Sequence, residues 1–239
     1  MSDSEPRIPT DWSDVTLVCR DVWKVFRSGD SIVKALQGVS LYIGRGELFC
    51  IRGPSGSGKT TLLNLLGALD FPTKGEVFGL GLSYQDLSSR ELGKFRREYL
   101  GFVFQELSLV PHLTAAENVL LPKLFDGTSR EELELTASRL LHRVDGFHRS
   151  SHFPPQLSAG ERQRVGIARA LVRDPRIVLA DEPTASLDNK NVGKVLTIFR
   201  DLCNSGVTIV VATHDDRVER ASDHVVWIND GILSEEPFR

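Results

Sequence analysis

Apolar and polar side chains alternate in two stretches near the start of the chain, residues 15–26 and 33–43. Because alternation with many β-branched residues is typical of half-buried strands, we predict an antiparallel N-terminal sheet there. Three later stretches, residues 47–52, 176–181 and 207–214, are instead apolar almost throughout. Short apolar runs of this kind are typical of parallel strands that are buried on both faces.

Helical spacing of apolar residues dominates the middle of the chain. One helix is predicted directly after residue 58, four helical segments fall between about residues 86 and 172, and another helix spans 191–203. Residues 224–236 predict a closing hairpin. The predicted fold class is therefore α/β, with a mixed and mainly parallel core sheet. An N-terminal antiparallel β subdomain and an α-helical subdomain, inserted at roughly 86–172, complete it.

Composition limits the class of protein. The 239 residues carry a net charge of −3, so no global basic field favours nucleic acid as a partner. Residues 1–14 are polar and acidic and predict a flexible tail, not a signal peptide, whereas residues 15–239 are expected to form one domain. No apolar run approaches the about 20 residues that span a bilayer, so no direct membrane insertion is expected. The three cysteines lack a CxxC pair and are expected to be buried thiols.

A glycine-rich loop, "GPSGSGKT" at residues 53–60, separates the predicted strand 47–52 from the helix after it. In the pattern G-x-x-x-x-G-K-[ST], backbone N–H groups surround phosphate oxygens, the lysine adds a positive charge and the hydroxyl ligates Mg²⁺. The helix also directs the positive end of its dipole at the anion. The strand–loop–helix context favours nucleotide binding over a merely flexible loop. The predicted nucleotide-binding residues are Gly53, Pro54, Ser55, Gly56, Ser57, Gly58, Lys59, Thr60 and Thr61.

Two adjacent carboxylates, Asp181 and Glu182, end the buried stretch that begins at residue 176. Open α/β sheets bind ligands at the carboxyl ends of their strands. We predict that Asp181 belongs to the Mg²⁺ shell and that Glu182 orients or deprotonates an attacking water. His214 ends the next apolar strand and is predicted to reach the γ-phosphate and to brace Glu182. The alternatives are an ordinary acidic loop and a structural or surface histidine.

The stretch "QLSAGERQRVGIARALVRDP", residues 156–175, is the most specific in the chain. Ser158 and Glu161 form an S-x-x-E capping box, and such a helix start is suited to a phosphate; the alternative is a capped amphipathic helix and nothing more. Here the sequence resembles the ATP-binding cassette (ABC) ATPases, whose LSGGQ signature appears as "LSAGE". The family motifs follow in order: the loop at 53–60, Gln105 in "FVFQE", the signature at 157–161, "IVLADE" at 177–182, "ASLD" at 185–188 and His214.

The resemblance implies a P-loop NTPase core and roles that spacing alone does not give. Phe26 resembles the aromatic residue that stacks on adenine, and Gln105 resembles the switch residue that contacts Mg²⁺ and the water. The implied catalytic residues are Glu182, His214 and Gln105, and the implied Mg²⁺ ligands are Thr60, Gln105 and Asp181. Ser158, Ala159, Gly160 and Glu161 would bind the ATP of a second subunit, and Asp188 would couple the two sites. ATP binding is thus expected to join two copies into a homodimer that hydrolysis releases.

Ala159 departs from the family pattern, because it stands where the signature usually has its first glycine. Alanine has less freedom than glycine at positive φ, so we expect the closed dimer to form less readily. Phe26 also departs, since tyrosine is more frequent there, but it keeps the aromatic ring.

Within the family, "FPTKGEV", "FRREYLGFVFQELSLVPHLTAAENVLLP" and "FPPQLSAGERQRVGIARAL" are most similar to the MacB-like branch, which includes lipoprotein-releasing (Lol) and FtsE-type cassettes. The resemblance implies a subunit on the cytoplasmic face of the inner or plasma membrane that energises export or extraction. Its partner would be a separate permease with four transmembrane helices.

The apolar segment 106–114, after Gln105, is expected to be exposed as a groove for that permease; the alternative is internal packing. A different class of function, a soluble cassette ATPase that acts on DNA or ribosomes, is the alternative for the whole chain. Related proteins of that class usually add coiled coils, zinc modules or a second cassette, and the sequence contains none of these.

Overall fold

The computed structural model of the protein describes residues 14–29 and 31–237. Residues 1–13 of the predicted tail lie outside the described residues. The strands are β1 (Val15–Ser28), β2 (Ser31–Gly44), β3 (Leu48–Arg52), β4 (Lys74–Gly79), β5 (Leu82–Ser83), β6 (Leu100–Val103), β7 (Ile177–Asp181), β8 (Thr208–Thr213), β9 (His224–Asn229) and β10 (Ile232–Ser234). The helices are α1 (Lys59–Leu66), α2 (Ser89–Tyr99), α3 (Ala115–Leu120), α4 (Arg130–Arg143), α5 (Ala159–Ala170), α6 (Asn189–Asn204) and α7 (Asp216–Ala221).

The strands form two sheets. An antiparallel sheet has the order β2-β1-β4-β5, and a second sheet has the order β10-β9-β3-β8-β7-β6. In the second sheet only the edge strand β10 runs antiparallel to its neighbour. The α/β fold class is therefore confirmed, with its N-terminal antiparallel sheet and its mixed, mainly parallel core sheet.

The core sheet is buried on both faces. Every residue of β7 and β8 is buried, as their continuous apolar runs predict. On one side α1 and the antiparallel sheet pack against it, and on the other side α3–α6 do. Register aligns Ala212 of β8 with both Asp181 of β7 and Ile51 of β3, so these three strands end at one edge. Residues that follow these strands consequently meet there.

The region 86–172 is largely helical but also contributes to the core sheet. Strand β6 lies in this region and pairs in parallel with β7, as the outermost strand of the sheet. No sequence pattern predicts β6, because only four residues separate the end of α2 from the next loop. Within the described ranges, no helix is long and apolar enough to cross a bilayer.

Candidate nucleotide site

The loop before α1 has a backbone that favours glycine. Gly58 is the N-cap of α1 and has a φ of 109°, a conformation that side-chain-bearing residues rarely adopt. A Cβ at this position would also lie 2.5 Å from the carbonyl oxygen of Ala35 on β2. The glycine thus allows both the turn into the helix and close packing against the antiparallel sheet.

Lys59, the first residue of α1, turns back over the loop. Its Nζ donates hydrogen bonds to the carbonyl oxygens of Gly53 at 2.8 Å and Pro54 at 2.9 Å. The side chain is only 7% exposed, and Nζ lies 3.9 Å from Oε1 of Glu182. A buried ammonium group at the start of a helix, over a glycine-rich loop, is suited to the phosphates of a nucleotide.

The antiparallel sheet is linked to the same loop through Gly231, which lies between β9 and β10. The Gln37 amide donates to the Gly231 carbonyl at 2.8 Å, and the Gly231 amide donates to the Ser57 carbonyl at 2.9 Å. Phe26, on β1 of this sheet, is 44% exposed, and Lys24 Nζ lies 5.0 Å from the centre of its ring. The ring is therefore accessible, as a platform for a base must be.

Thr60 and Asp181 meet directly. The hydroxyl of Thr60 donates a hydrogen bond of 2.8 Å to Oδ2 of Asp181. Burial raises the pKa of Asp181, and the hydrogen bond from Thr60 partly opposes this rise. A hydroxyl and a carboxylate side by side provide the hard oxygen ligands that Mg²⁺ prefers, so the two residues fit that ion.

Glu182 is held on both carboxylate oxygens. Thr213 Oγ1 donates to Oε2 at 2.8 Å, and Nδ1 of His214 lies 2.8 Å from Oε1. The Glu182 backbone has a φ of 46°, which is uncommon for a residue other than glycine. The contacts to both carboxylate oxygens help to hold this backbone conformation. The contact with His214 agrees with the bracing role that the sequence suggests.

Gln105 reaches the same edge by a different route. It lies two residues beyond the end of β6, and Val103 of β6 is aligned with Ala180 of β7. Its side chain is exposed. The structure therefore brings the loop, Asp181, Glu182 and His214 into one cluster, and Gln105 follows the end of the neighbouring strand β6.

The signature residues lie at the start of α5. Ser158 is the N-cap, and its amide and hydroxyl both donate to Oε2 of Glu161. Burial opposes ionisation of Glu161, but hydrogen bonds from Arg149 and Ser158 outweigh it and lower its pKa to about 2. Within the described residues, the side-chain hydrogen bonds of Ser158 and Glu161 run to each other and to Arg149, not to the phosphate loop.

Asp188 occupies the same kind of position on the next helix. It is the N-cap of α6 and accepts a hydrogen bond of 2.8 Å from the backbone amide of Asn191.

Ala159 is the first residue of α5 and lies outside the positive-φ region. The expectation that alanine restricts the signature through positive φ is therefore wrong, because the helical backbone there suits alanine.

Sequence reasoning missed three polar residues around Glu182. Thr213 binds its carboxylate directly, and Thr184 donates to Oδ2 of Asp215 at 2.7 Å. Hydrogen bonds from Arg217 and Thr184 lower the pKa of Asp215 to about 2. Thr184 and Thr213 are fully buried. The hydrogen bond from Thr184 to Asp215 links the loop after β7 to the residues after β8. The signal in the sequence that could have found Thr213 is its place at the end of an otherwise apolar strand.

The loop, the buried lysine and the paired carboxylates define a P-loop nucleotide hydrolase. The family described as ABC transporter matches residues 36–185. The chain belongs to this family and is an ATP-binding, ATP-hydrolysing cassette. Similarity to transporter subunits favours this function over the DNA or ribosome alternative.

Two relatives illustrate the relationship. The macrolide export ATP-binding/permease protein MacB of Rhodopirellula baltica is 46% identical over 216 residues, which are 89% of this chain and 32% of the relative. The chain thus spans about a third of MacB. An ABC transporter ATP-binding protein of Methanocaldococcus jannaschii, MJ0796, is 43% identical over 91% of this chain and 94% of its own length.

A solved structure of MJ0796 is similar throughout. It is a dimer in a post-hydrolysis state, bound to ADP and inorganic phosphate. Its sequence identity is 42%, its TM-score is 0.84, and the match covers 93% of this chain and 100% of the other. The neighbour supports the assignment of ATP hydrolysis to this fold.

Proposed function

We propose that this protein is the ATPase subunit of a MacB-like system and that it acts as a homodimer closed by ATP. It lies on the cytoplasmic face of the membrane, docked on a separate permease with four transmembrane helices. Cycles of ATP binding and hydrolysis then energise export or extraction through that permease.

One observation carries the proposal: the loop, Asp181 and Glu182 form one cluster, whereas the signature stands apart on α5. A phosphate held by one copy therefore needs the Ser158 helix start of another copy to enclose it. The dimeric arrangement of the MJ0796 cassette supports this interpretation.

Each residue of the cluster takes a defined role. Lys59 and the loop amides hold the phosphates, and ATP exchanges the carbonyl partners of Nζ for phosphate oxygens. Thr60, Asp181 and Gln105 would hold Mg²⁺, and the bound ion would neutralise phosphate charge. Glu182 accepts the proton of the attacking water. His214 braces Glu182 through Nδ1 and contacts the γ-phosphate through its other ring nitrogen.

A surface groove beside Gln105 is suited to the permease. A cavity of about 580 Å³ lies between α2, β6 and α5. Phe102 and Phe104 stack in it, with ring centres 5.5 Å apart and nearly parallel planes. Segment 106–114 contributes less than expected, because Leu107 and Leu109 are half-buried and pack on the core. For these two residues the alternative of internal packing is correct.

The groove also has excess positive charge. Its lining includes four arginines, Arg96, Arg97, Arg169 and Arg173. Arg173 pairs with Asp126 at 2.6 Å, but within the described residues the other three form no ion pair with a carboxylate. We therefore propose that the permease contributes a helix with apolar residues for the two phenylalanines and acidic residues for the arginines.

The test uses a Glu182→Gln variant, loaded with ATP, as bait in detergent-solubilised native membranes. We expect mass spectrometry of the captured material to identify a permease with four transmembrane helices and a large external domain. A matched bait that also carries Phe104→Asp and Arg97→Glu should lose this partner, because both changes oppose the groove chemistry. Both baits are first checked for equal ATP binding.

Recovery of DNA-repair or ribosomal factors alone would reject the transporter proposal. Equal recovery of the permease by both baits would reject the groove as its docking surface.

Ala159→Gly is expected to leave ATP-driven dimerisation unchanged. The helical backbone at residue 159 favours alanine over glycine by up to about 1 kcal/mol, so glycine offers no conformational gain there. The check is the ATP concentration at half-maximal dimer formation, measured by light scattering in the Glu182→Gln background. A fall of more than about tenfold, equivalent to about 1.4 kcal/mol, would show that the alanine methyl group obstructs closure.

A further inference from the structure

One side chain, Asn191, joins the two helix starts that would face a partner subunit. Its Nδ2 donates a hydrogen bond of 2.9 Å to Oδ2 of Asp188, the N-cap of α6. Its Oδ1 accepts a hydrogen bond of 3.1 Å from Arg164, on the signature helix α5. The amide thus lies between a carboxylate on one element and a guanidinium on the other.

Arg164 makes this arrangement unusual, because its charge is buried. The residue is 4% exposed, and its Nε is buried without a hydrogen-bond partner among the described residues. Within the same residues it forms no ion pair within 4.0 Å, although it does contribute to the potential at Asp145. Buried cations are normally paired directly with an anion. Here the side-chain amide of Asn191 lies between the two charges and links the Asp188 carboxylate to the Arg164 guanidinium through two hydrogen bonds.

Asn191 also packs against the signature itself. A Cβ on Gly160 would lie 2.4 Å from Oδ1 and 2.5 Å from Cγ of Asn191. Gly160 is buried, so this contact fixes how closely the start of α5 approaches the start of α6. Asn191 therefore contacts Gly160 of the signature by close packing and contacts Asp188 by hydrogen bonds.

We infer that Asn191 is a positioning residue, which sets the signature and Asp188 at a fixed separation so that both engage the partner subunit together. The inference rests on the proposed ATP-closed dimer. Two contacts made by one rigid body have to fit simultaneously, and a looser link between them weakens the closed state. A merely structural role, satisfaction of the buried Arg164, is the competing explanation.

Asn191→Asp separates the two explanations. An aspartate has nearly the same shape and gives Arg164 a direct, charged partner, so a structural role is preserved or improved. The same change places a second carboxylate against Asp188 and removes the Nδ2–H donor. A positioning role is therefore lost while the fold is retained.

The experiment measures the ATP concentration at half-maximal dimer formation in the Glu182→Gln background, by light scattering. We expect Asn191→Asp to raise it by about tenfold, which corresponds to a loss of about 1.4 kcal/mol in closure. ADP affinity of the monomer, measured by calorimetry, and the melting temperature should match those of the parent. Asn189→Asp is the control, because it adds the same charge to the same helix turn and leaves Asn191 intact.

A midpoint for Asn191→Asp within twofold of the parent would overturn the inference. So would an equal shift in Asn189→Asp, since added charge alone would then explain it. If the Glu182→Gln parent itself stays monomeric at saturating ATP, the proposed dimer fails and the inference falls with it.

A double-mutant cycle gives a further criterion. Combining Asp188→Asn with Asn191→Asp exchanges the amide and the carboxylate between the two positions, which restores one donor and one acceptor. The effects of the two single changes should therefore be strongly non-additive. Simple additivity would reject the link between the two side chains.

Discussion

Replacing Glu182 with glutamine is expected to lower the rate of ATP hydrolysis by about a thousandfold while ATP binding is retained, since a positioned general base contributes about 10²–10⁴ in rate. Glutamine keeps the size of the side chain and an oxygen that accepts from Thr213 or His214. It cannot take a proton from water. It also removes a negative charge that lies beside the phosphates, so ATP and the closed dimer should persist.

The measurement combines phosphate release with light scattering at saturating ATP. The control is Glu98→Gln, the same chemical change on the exposed face of α2, which should behave as the unmodified protein. Residual hydrolysis above about a tenth of the original rate would assign the base to another residue. Monomers alone at saturating ATP would contradict the dimer.

Replacing Lys59 with alanine should weaken ATP binding by between about tenfold and a hundredfold, because one charge-assisted hydrogen bond contributes about 1.5–3 kcal/mol. Two effects act together here. The phosphates lose a buried positive charge, and the Gly53 and Pro54 carbonyl oxygens lose their Lys59 donor.

Calorimetric titration with ATP measures the affinity, and the rise in melting temperature on adding ATP gives an independent measure of the same loss. Lys94→Ala removes an exposed ammonium group from α2 and serves as the charge control. An ATP affinity within about threefold of the parent would show that the loop amides suffice without the lysine.

Local patterns predicted the parts of the site that local chemistry builds. Alternation identified β1 and β2, continuous apolar runs identified β3, β7 and β8, and the glycine spacing identified the turn into α1. The capping box at Ser158 is present as the S-x-x-E pattern implies. Each of these features depends on residues a few positions apart, which a single sequence contains in full.

The remaining features depend on contacts between distant segments. Strand β6 is stabilised mainly by its pairing with β7, more than 70 residues later in the chain. Thr213 matters only because the sheet register sets it beside Glu182, and Asn191 only because α6 packs against Gly160. No pattern in the sequence specifies these pairings.

The left-handed backbone at Glu182 restricts how this site can change over evolutionary time. Asparagine, aspartate and glycine adopt such a φ with the least strain, whereas valine and isoleucine are strongly disfavoured. Copies that lose hydrolysis by drift should therefore carry glutamate, a smaller polar residue or glycine at this position, and not a β-branched residue. A duplicated cassette that no longer hydrolyses ATP can in this way keep its fold and still bind nucleotide.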